Sequence, residues 1–251
     1  MPAMTVPASQ AASARRSARR RTVEGDRTDR RQAILLAAER LFAERGYAAV
    51  SIRQIADAAG VPPALVDYHF GQKHELFIAI FHHWRDTIEQ RLQRLREARA
   101  DTGSGDALRR VVEAFVMPVL ALRCSAEGEF YAQLVARELV YRTPQAERVL
   151  AELFDPLAHA FIDALHAIAP QAGRAHAAWA YQFALGALLH HISDHRVERL
   201  SRGANRAADP AAAALLVDFI RAGIAAVLPA PRTPPPVPPA ATPRRRARPS
   251  R

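Results

Sequence analysis

Two groups of residues have the types and spacing to do chemistry. Towards the C-terminus, His190-His191-x-x-Asp194-His195 sets His191 and His195 four apart, on one helical face, as paired metal ligands are. No further His, Cys or acidic motif completes a coordination set, so no metal is expected and the cluster reads as a polar helix face. The second group follows the turn at Gly60: Pro63, Ala64, Leu65, Asp67, Tyr68 and His69 remain for an outer face once the apolar positions beside them turn inward. A short helix presenting such a face after a tight turn is built to enter a DNA major groove. Enzymatic sets are missing: there is no G-x-S-x-G, no phosphate-binding glycine loop and no complete metal set. The expectation is a protein without catalytic residues or cofactor.

The elements that must position these residues are helices. Ser51 with Gln54 is a capping signature that starts a helix over Ile52 to Ala59. Gly60 supplies the positive φ of the turn, Ala56 lets a second helix cross closely, and Pro62-Pro63 suits the first turn of that helix. Ile55, Val61, Val66 and Phe70 share a small core with Leu41 and Phe42. Asp29 with Gln32 imitates a capping box for a first helix that Gly46 ends, and a long fourth helix is expected from Lys73 to Ala100. Further segments of helical period cover 107–123, 129–141, 144–169 (two helices or one kinked), 174–200 and 209–228. No strand period survives, so the fold class is all-α, with about nine to ten helices.

Charge sits at the ends. The net charge is +10. Eight arginines against three acids before residue 32, and six arginines without an acid after 228, leave residues 32–228 near −1. Residues 1–27 are expected to be a disordered basic tail and 229–251 a disordered Pro/Arg-rich tail, both able to attract phosphates non-specifically. Between them lie a DNA-binding domain, 28–74, and a helical domain, 75–228. The single cysteine, Cys124, excludes an intramolecular disulfide and fits a reducing, cytoplasmic setting. The N-terminus lacks the apolar region of a secretory signal, and no run of apolar residues is long enough for a membrane span.

The run AAERLFAERGYAAVSIRQIADAAGVPPALVDYHFGQKHELF resembles the N-terminal domain of the TetR family of bacterial transcriptional regulators. LFAERGY, SIRQIA and YHFGQKHEL carry the resemblance, which covers roughly residues 29–77. It implies a three-helix helix-turn-helix domain followed by a larger domain that binds a small effector and forms a homodimer. It also implies roles. Arg53 would contact a phosphate or a base edge. Ala64 and Leu65 would reach bases, where apolar side chains touch thymine methyls. Tyr68 and His69 would reach phosphates, and Lys73 would clamp one from a helix N-terminus. Pro62-Pro63 departs from the usual Ser-Lys or Ser-Arg and removes a polar contact. Asp67 stands where Tyr or Asn is usual; it could accept from a cytosine amino group or bond within the protein.

In the C-terminal half, Ala175–Gly203 and Phe219–Leu228 resemble the last two helices of many family members, where they form an intersubunit bundle. Ala184, Gly186, Ala187, His191, Ala222 and Gly223 are the expected seam, small residues there permitting close helix approach. Phe115, Phe130, Leu134, Phe154, Phe161, Trp179 and Phe183 are the expected effector-pocket lining, with Arg137 and Glu138 as polar anchors. Each alone suits an ordinary core; together they suggest an apolar or partly aromatic ligand. The function expected is a ligand-responsive repressor that binds a palindromic DNA operator as a dimer. The alternative is an architectural DNA-binding protein without an effector, which the basic tails also fit.

Overall fold

The computed structural model describes residues 8–100, 106–207 and 209–228, without the side chains of residues 8–26. Residues 1–7 and 229–251, on which part of the tail expectations falls, lie outside the described residues. Those described form helices and no strand. The DNA-binding part consists of α1 (Ala8–Arg45), α2 (Ile52–Ala59) and α3 (Pro63–Phe70). The larger part begins with α4 (Lys73–His83) and α5 (Arg85–Ala100) and continues with α6 (Ala107–Arg123), α7 (Glu129–Tyr141) and α8 (Pro144–Leu153). It closes with α9 (Asp155–Ile168), α10 (Gly173–Ser193), the single turn α11 (Val197–Leu200) and α12 (Ala212–Val227).

Local signals place α2 and α3. The Ser51 Oγ accepts from the Gln54 backbone N–H at 3.3 Å while Gln54 Oε1 accepts from the Ser51 N–H at 2.8 Å, a reciprocal box. Gly60 takes the left-handed conformation, φ 67 and ψ 34, and the Val61 N–H then closes on the Ala56 carbonyl at 3.0 Å. Pro63 opens α3, where its missing N–H would have had no helical partner.

Three segments differ from the sequence reading. The helix α1 has no start at Asp29 but begins at Ala8, within the stretch expected to lack structure. That stretch is rich in Ala and Arg and has no proline after Pro7, so propensity lets the helix extend backwards. The expected single helix from Lys73 to Ala100 is broken at Trp84 (φ −95, ψ 12). The Trp84 carbonyl there accepts from both the backbone N–H and the hydroxyl of Thr87. The 144–169 stretch, read as two helices or one kinked, does form two helices, which meet at Phe154. The helix expected over 174–200 stops at Ser193, because Asp194 is extended (φ −103, ψ 114).

The two parts share one core. Phe42 of α1, Phe77 and Phe81 of α4, and Phe161 of α9 are all fully buried. Ring contacts run unbroken from the DNA-binding part into the larger one. Phe42 meets Phe77 at 5.4 Å, Phe77 meets Phe81 at 5.2 Å, Phe81 meets Tyr131 at 6.1 Å, and Tyr131 stacks on Trp84 at 5.2 Å. Beside this row, α1 packs along α7. Glu39 of α1 is 1% exposed. Its carboxylate accepts from Trp84 Nε1 at 2.7 Å and from the Tyr131 backbone N–H in the first turn of α7. Helix α1 thus caps the N-terminus of α7 with a buried acid, a position the helix dipole favours.

Candidate DNA-binding face and ligand cavity

On α3, Pro63, Ala64, Asp67 and Tyr68 are exposed and occupy one face, one turn apart. Tyr68 is 64% exposed, far more than a tyrosine held for packing. Arg53 is exposed on α2. Two candidates are placed differently from the sequence reading. Leu65 is half-buried and packs against the core, because its position faces back towards α1 and α2. His69 is half-buried too; its Nε2 is enclosed without a partner. Desolvation, then the charges of Arg27 and Arg31, hold the His69 pKa below the ordinary imidazole value. Lys73 begins α4 with its Nζ 4.2 Å from the Tyr47 ring centre, and burial lowers its pKa.

The sequence reading missed two cations. Arg27 lies with Cζ 5.2 Å over the Tyr68 ring, and Arg31 lies 4.7 Å over the Phe70 ring. Both are exposed, and with Thr28, Gln32, Tyr68 and His69 they wall a shallow cleft beside the recognition helix. Their spacing, four residues on one helix, is the signal in the sequence, and it shows only once α1 runs through Asp29.

The larger part encloses a cavity of about 230 Å³ among α5, α6, α7, α9 and α10. Leu122, Val135, Leu139, Leu157, Leu185, Leu188 and Ile192 are the large aliphatic side chains of its wall, with Arg91, Tyr131 and Tyr181 among its polar members. Pro118, inside α6, also borders it; lacking an N–H, it leaves the Ala114 carbonyl without its helical donor.

Of the expected pocket residues, Phe154 alone lines this cavity. Phe115 and Phe161 are buried against each other at 5.1 Å, and Leu134 is fully buried. Phe130 is half-buried under the Arg40 guanidinium, 5.3 Å away. Arg137 lies against Gly46, where a Cβ would fall 2.5 Å from its Nη2, and over the Tyr141 ring at 5.2 Å. Glu138 is buried and accepts from the Thr143 hydroxyl, away from the cavity. Trp179 and Phe183 are 60% and 58% exposed and stack on each other on the outer face of α10.

That outer face joins the expected seam. Gly186, Ala222 and Gly223 are exposed, with open space where a Cβ would stand on either glycine. Leu215 and Phe219 of α12 are 72% and 69% exposed. An open cleft between α10 and α12 is lined by Phe183, Ala187, His191, Leu215, Phe219 and Gly223. Ala184 differs: it is buried where α10 packs on α12 within the chain. In the histidine cluster, Asp194 is taken by Arg196 at 2.6 Å and by His190 Nε2 at 3.1 Å. The Arg196 guanidinium and then the Arg196 backbone N–H hold its carboxyl below the ordinary range. His191 is half-buried, and desolvation, then the charge of Arg123, lowers its pKa.

A helix-turn-helix head sharing its core with an all-helical body defines a transcription-factor architecture. The comparisons with known proteins agree. Residues 34–86 match the family model of bacterial regulatory proteins of the tetR family, and residues 113–223 match that of the tetracyclin repressor-like C-terminal domain. The chain belongs to the TetR family of transcriptional regulators.

Among curated proteins it is similar to the transcriptional activator FasR of Mycolicibacterium smegmatis, with 38% identity over 90 residues, 36% of this chain and 40% of FasR. It is also similar to the transcriptional repressor AcnR of Corynebacterium glutamicum, with 32% identity over 90 residues, 36% of this chain and 44% of AcnR. The matched stretch thus spans less than half the length of these relatives. Among solved structures, NalD of Pseudomonas aeruginosa, the secondary repressor of the MexAB-OprM multidrug efflux pump, is 27% identical with a TM-score of 0.52. That match covers 79% of this chain and 96% of NalD. Mycobacterium smegmatis AmtR has a TM-score of 0.54 at 22% identity, over 77% of this chain and 85% of AmtR, a likeness of fold alone.

Proposed function

We propose that the chain is a dimeric repressor that binds a palindromic operator and is released by a small molecule held in the cavity. One observation carries the reading: the cavity wall is wired to the DNA-binding head. Tyr131 borders the cavity, stacks on Trp84 at the α4–α5 break, and its backbone N–H and the Trp84 indole both bond Glu39 of α1. A ligand that displaces Tyr131 displaces the seat of α1. Two recognition helices read two half-sites only when roughly 34–36 Å apart, or a multiple of it. A ligand that favours a differently spaced conformation therefore empties the DNA-competent one. The exposed apolar face of α10 and α12 supports the dimer, since a patch carrying Trp179, Phe183, Leu215 and Phe219 is too large to leave in water.

The DNA would be met by Pro63, Ala64, Asp67 and Tyr68 at the groove, and by Arg27, Arg31, Arg53 and Lys73 at the phosphates. Selection from random duplexes followed by sedimentation of the complex tests the reading. The expected result is an enriched inverted repeat bound by an even number of chains. Equal affinity for every sequence would replace the reading with that of an architectural DNA-binding protein.

A further inference from the structure

The cavity wall carries a charge that no carboxylate among the described lining residues answers. Among the described residues two arginines line it, Arg91 and Arg94, and no carboxylate does. Arg91 is the deep one. Its Nε is shielded from water and has no partner. Its other contacts are weak: Nη2 approaches the Phe115 carbonyl at 3.5 Å, and Cζ stands 5.9 Å from the Phe115 ring centre. The groups whose charge reaches it are two phenols, Tyr181 and Tyr131. The Tyr131 hydroxyl is likewise enclosed without a partner, and burial keeps it protonated far above the usual phenol range. Two polar groups, both able to donate, thus face a pocket whose remaining wall is largely aliphatic.

A half-buried guanidinium with one weak carbonyl contact and no anion beside it is unfavourable until an anion pairs with it. Its rigid fork of N–H donors matches a carboxylate in two-point fashion. A neutral ligand leaves it unanswered, and a cation is repelled. We infer that the cavity takes an aliphatic carboxylate, its chain among Leu122, Val135, Leu139, Leu185 and Leu188 and its anionic head on Arg91 and the Tyr131 hydroxyl. The cavity, about 230 Å³, lies below the ~300–1,000 Å³ of drug-sized sites, so the ligand is a short or medium chain. The inference deepens the effector reading and depends on it only for the consequence at DNA.

Calorimetry on the full chain with octanoate, 1-octanol and octylamine tests it. Octanoate is expected to bind at least about tenfold more tightly than the alcohol, as a charge-assisted hydrogen bond requires, and the amine more weakly than both. In Arg91→Met, which keeps the aliphatic stem and loses the charge, octanoate and octanol should bind alike. In Tyr131→Phe, which serves even if Arg91→Met fails to fold, octanoate should weaken while octanol does not. Equal binding of octanoate and octanol to the unaltered chain, or a preference for octanoate that survives both substitutions, overturns the inference. Operator binding is measured in parallel. Octanoate that occupies the cavity in an Arg91-dependent way without changing DNA affinity leaves the inference standing and removes the effector reading.

Discussion

Glu39 offers the sharpest prediction. Burial pushes its pKa from 4.5 to about 7, against the lowering effect of the Trp84 indole and the Tyr131 N–H. The folded protein therefore holds a proton on Glu39 at pH values where the unfolded chain has released it. Stability from this group is full below the unfolded pKa of 4.5 and is lost as pH rises through the folded value of about 7. With those two values, linkage gives a loss of about 2.5 kcal/mol between roughly pH 5 and pH 8. In Glu39→Gln the carbonyl oxygen still accepts from Trp84 Nε1 and nothing titrates. Urea unfolding at both pH values, with and without the substitution, isolates the effect from every other titrating group. The unaltered protein should lose about 2.5 kcal/mol more than Glu39→Gln on going to the higher pH. Parallel profiles would show that Glu39 titrates normally, and that the junction between α1 and α7 is wetter than its 1% exposure implies.

Three further outcomes are expected. Lys73→Ala should weaken binding to all DNA sequences and reduce the salt slope by about one counterion; an unchanged slope takes Lys73 off the interface. Arg31→Ala, which removes an exposed cation from beside α3, should lower operator and random-DNA affinity by the same factor, measured by fluorescence anisotropy on both duplexes. Gly186→Arg should leave the helical fold unchanged, because open space surrounds its Cβ position, yet yield monomers in sedimentation. Packed helices stand only ~8–10 Å apart, so a dimer that persists would place Gly186 outside the seam.

The helix-turn-helix was legible in the sequence because its determinants are local. The Ser51–Gln54 box, Gly60 at positive φ and the proline opening of α3 act over four residues or fewer, so no distant partner is needed to read them. The family resemblance rests on the same stretch. The C-terminal helices were legible as helices, their punctuation by Gly, Pro and Asp being local too. Their facing was not. Helix α10 is apolar around most of its circumference, so periodicity could not say whether Trp179 and Phe183, or Tyr181, Leu185 and Leu188, would meet the cavity; packing against α9 and α12 decided it.

Arg91 shows the same limit from the polar side. It stands in RDTIEQRLQRLREARA, a segment whose charges read as a solvated helix. Only the placement of α6, α7 and α10 around α5 encloses its guanidinium and turns an ordinary surface residue into the deepest charge of the cavity. The sequence by itself determined the bounds of α2 and α3 and the course of most later helices, since those depend on neighbours along the chain. Which side chains surround the cavity, and that Glu39 seats the head on the body, depended on residues tens of positions apart meeting in space, and the tertiary structure alone decided them.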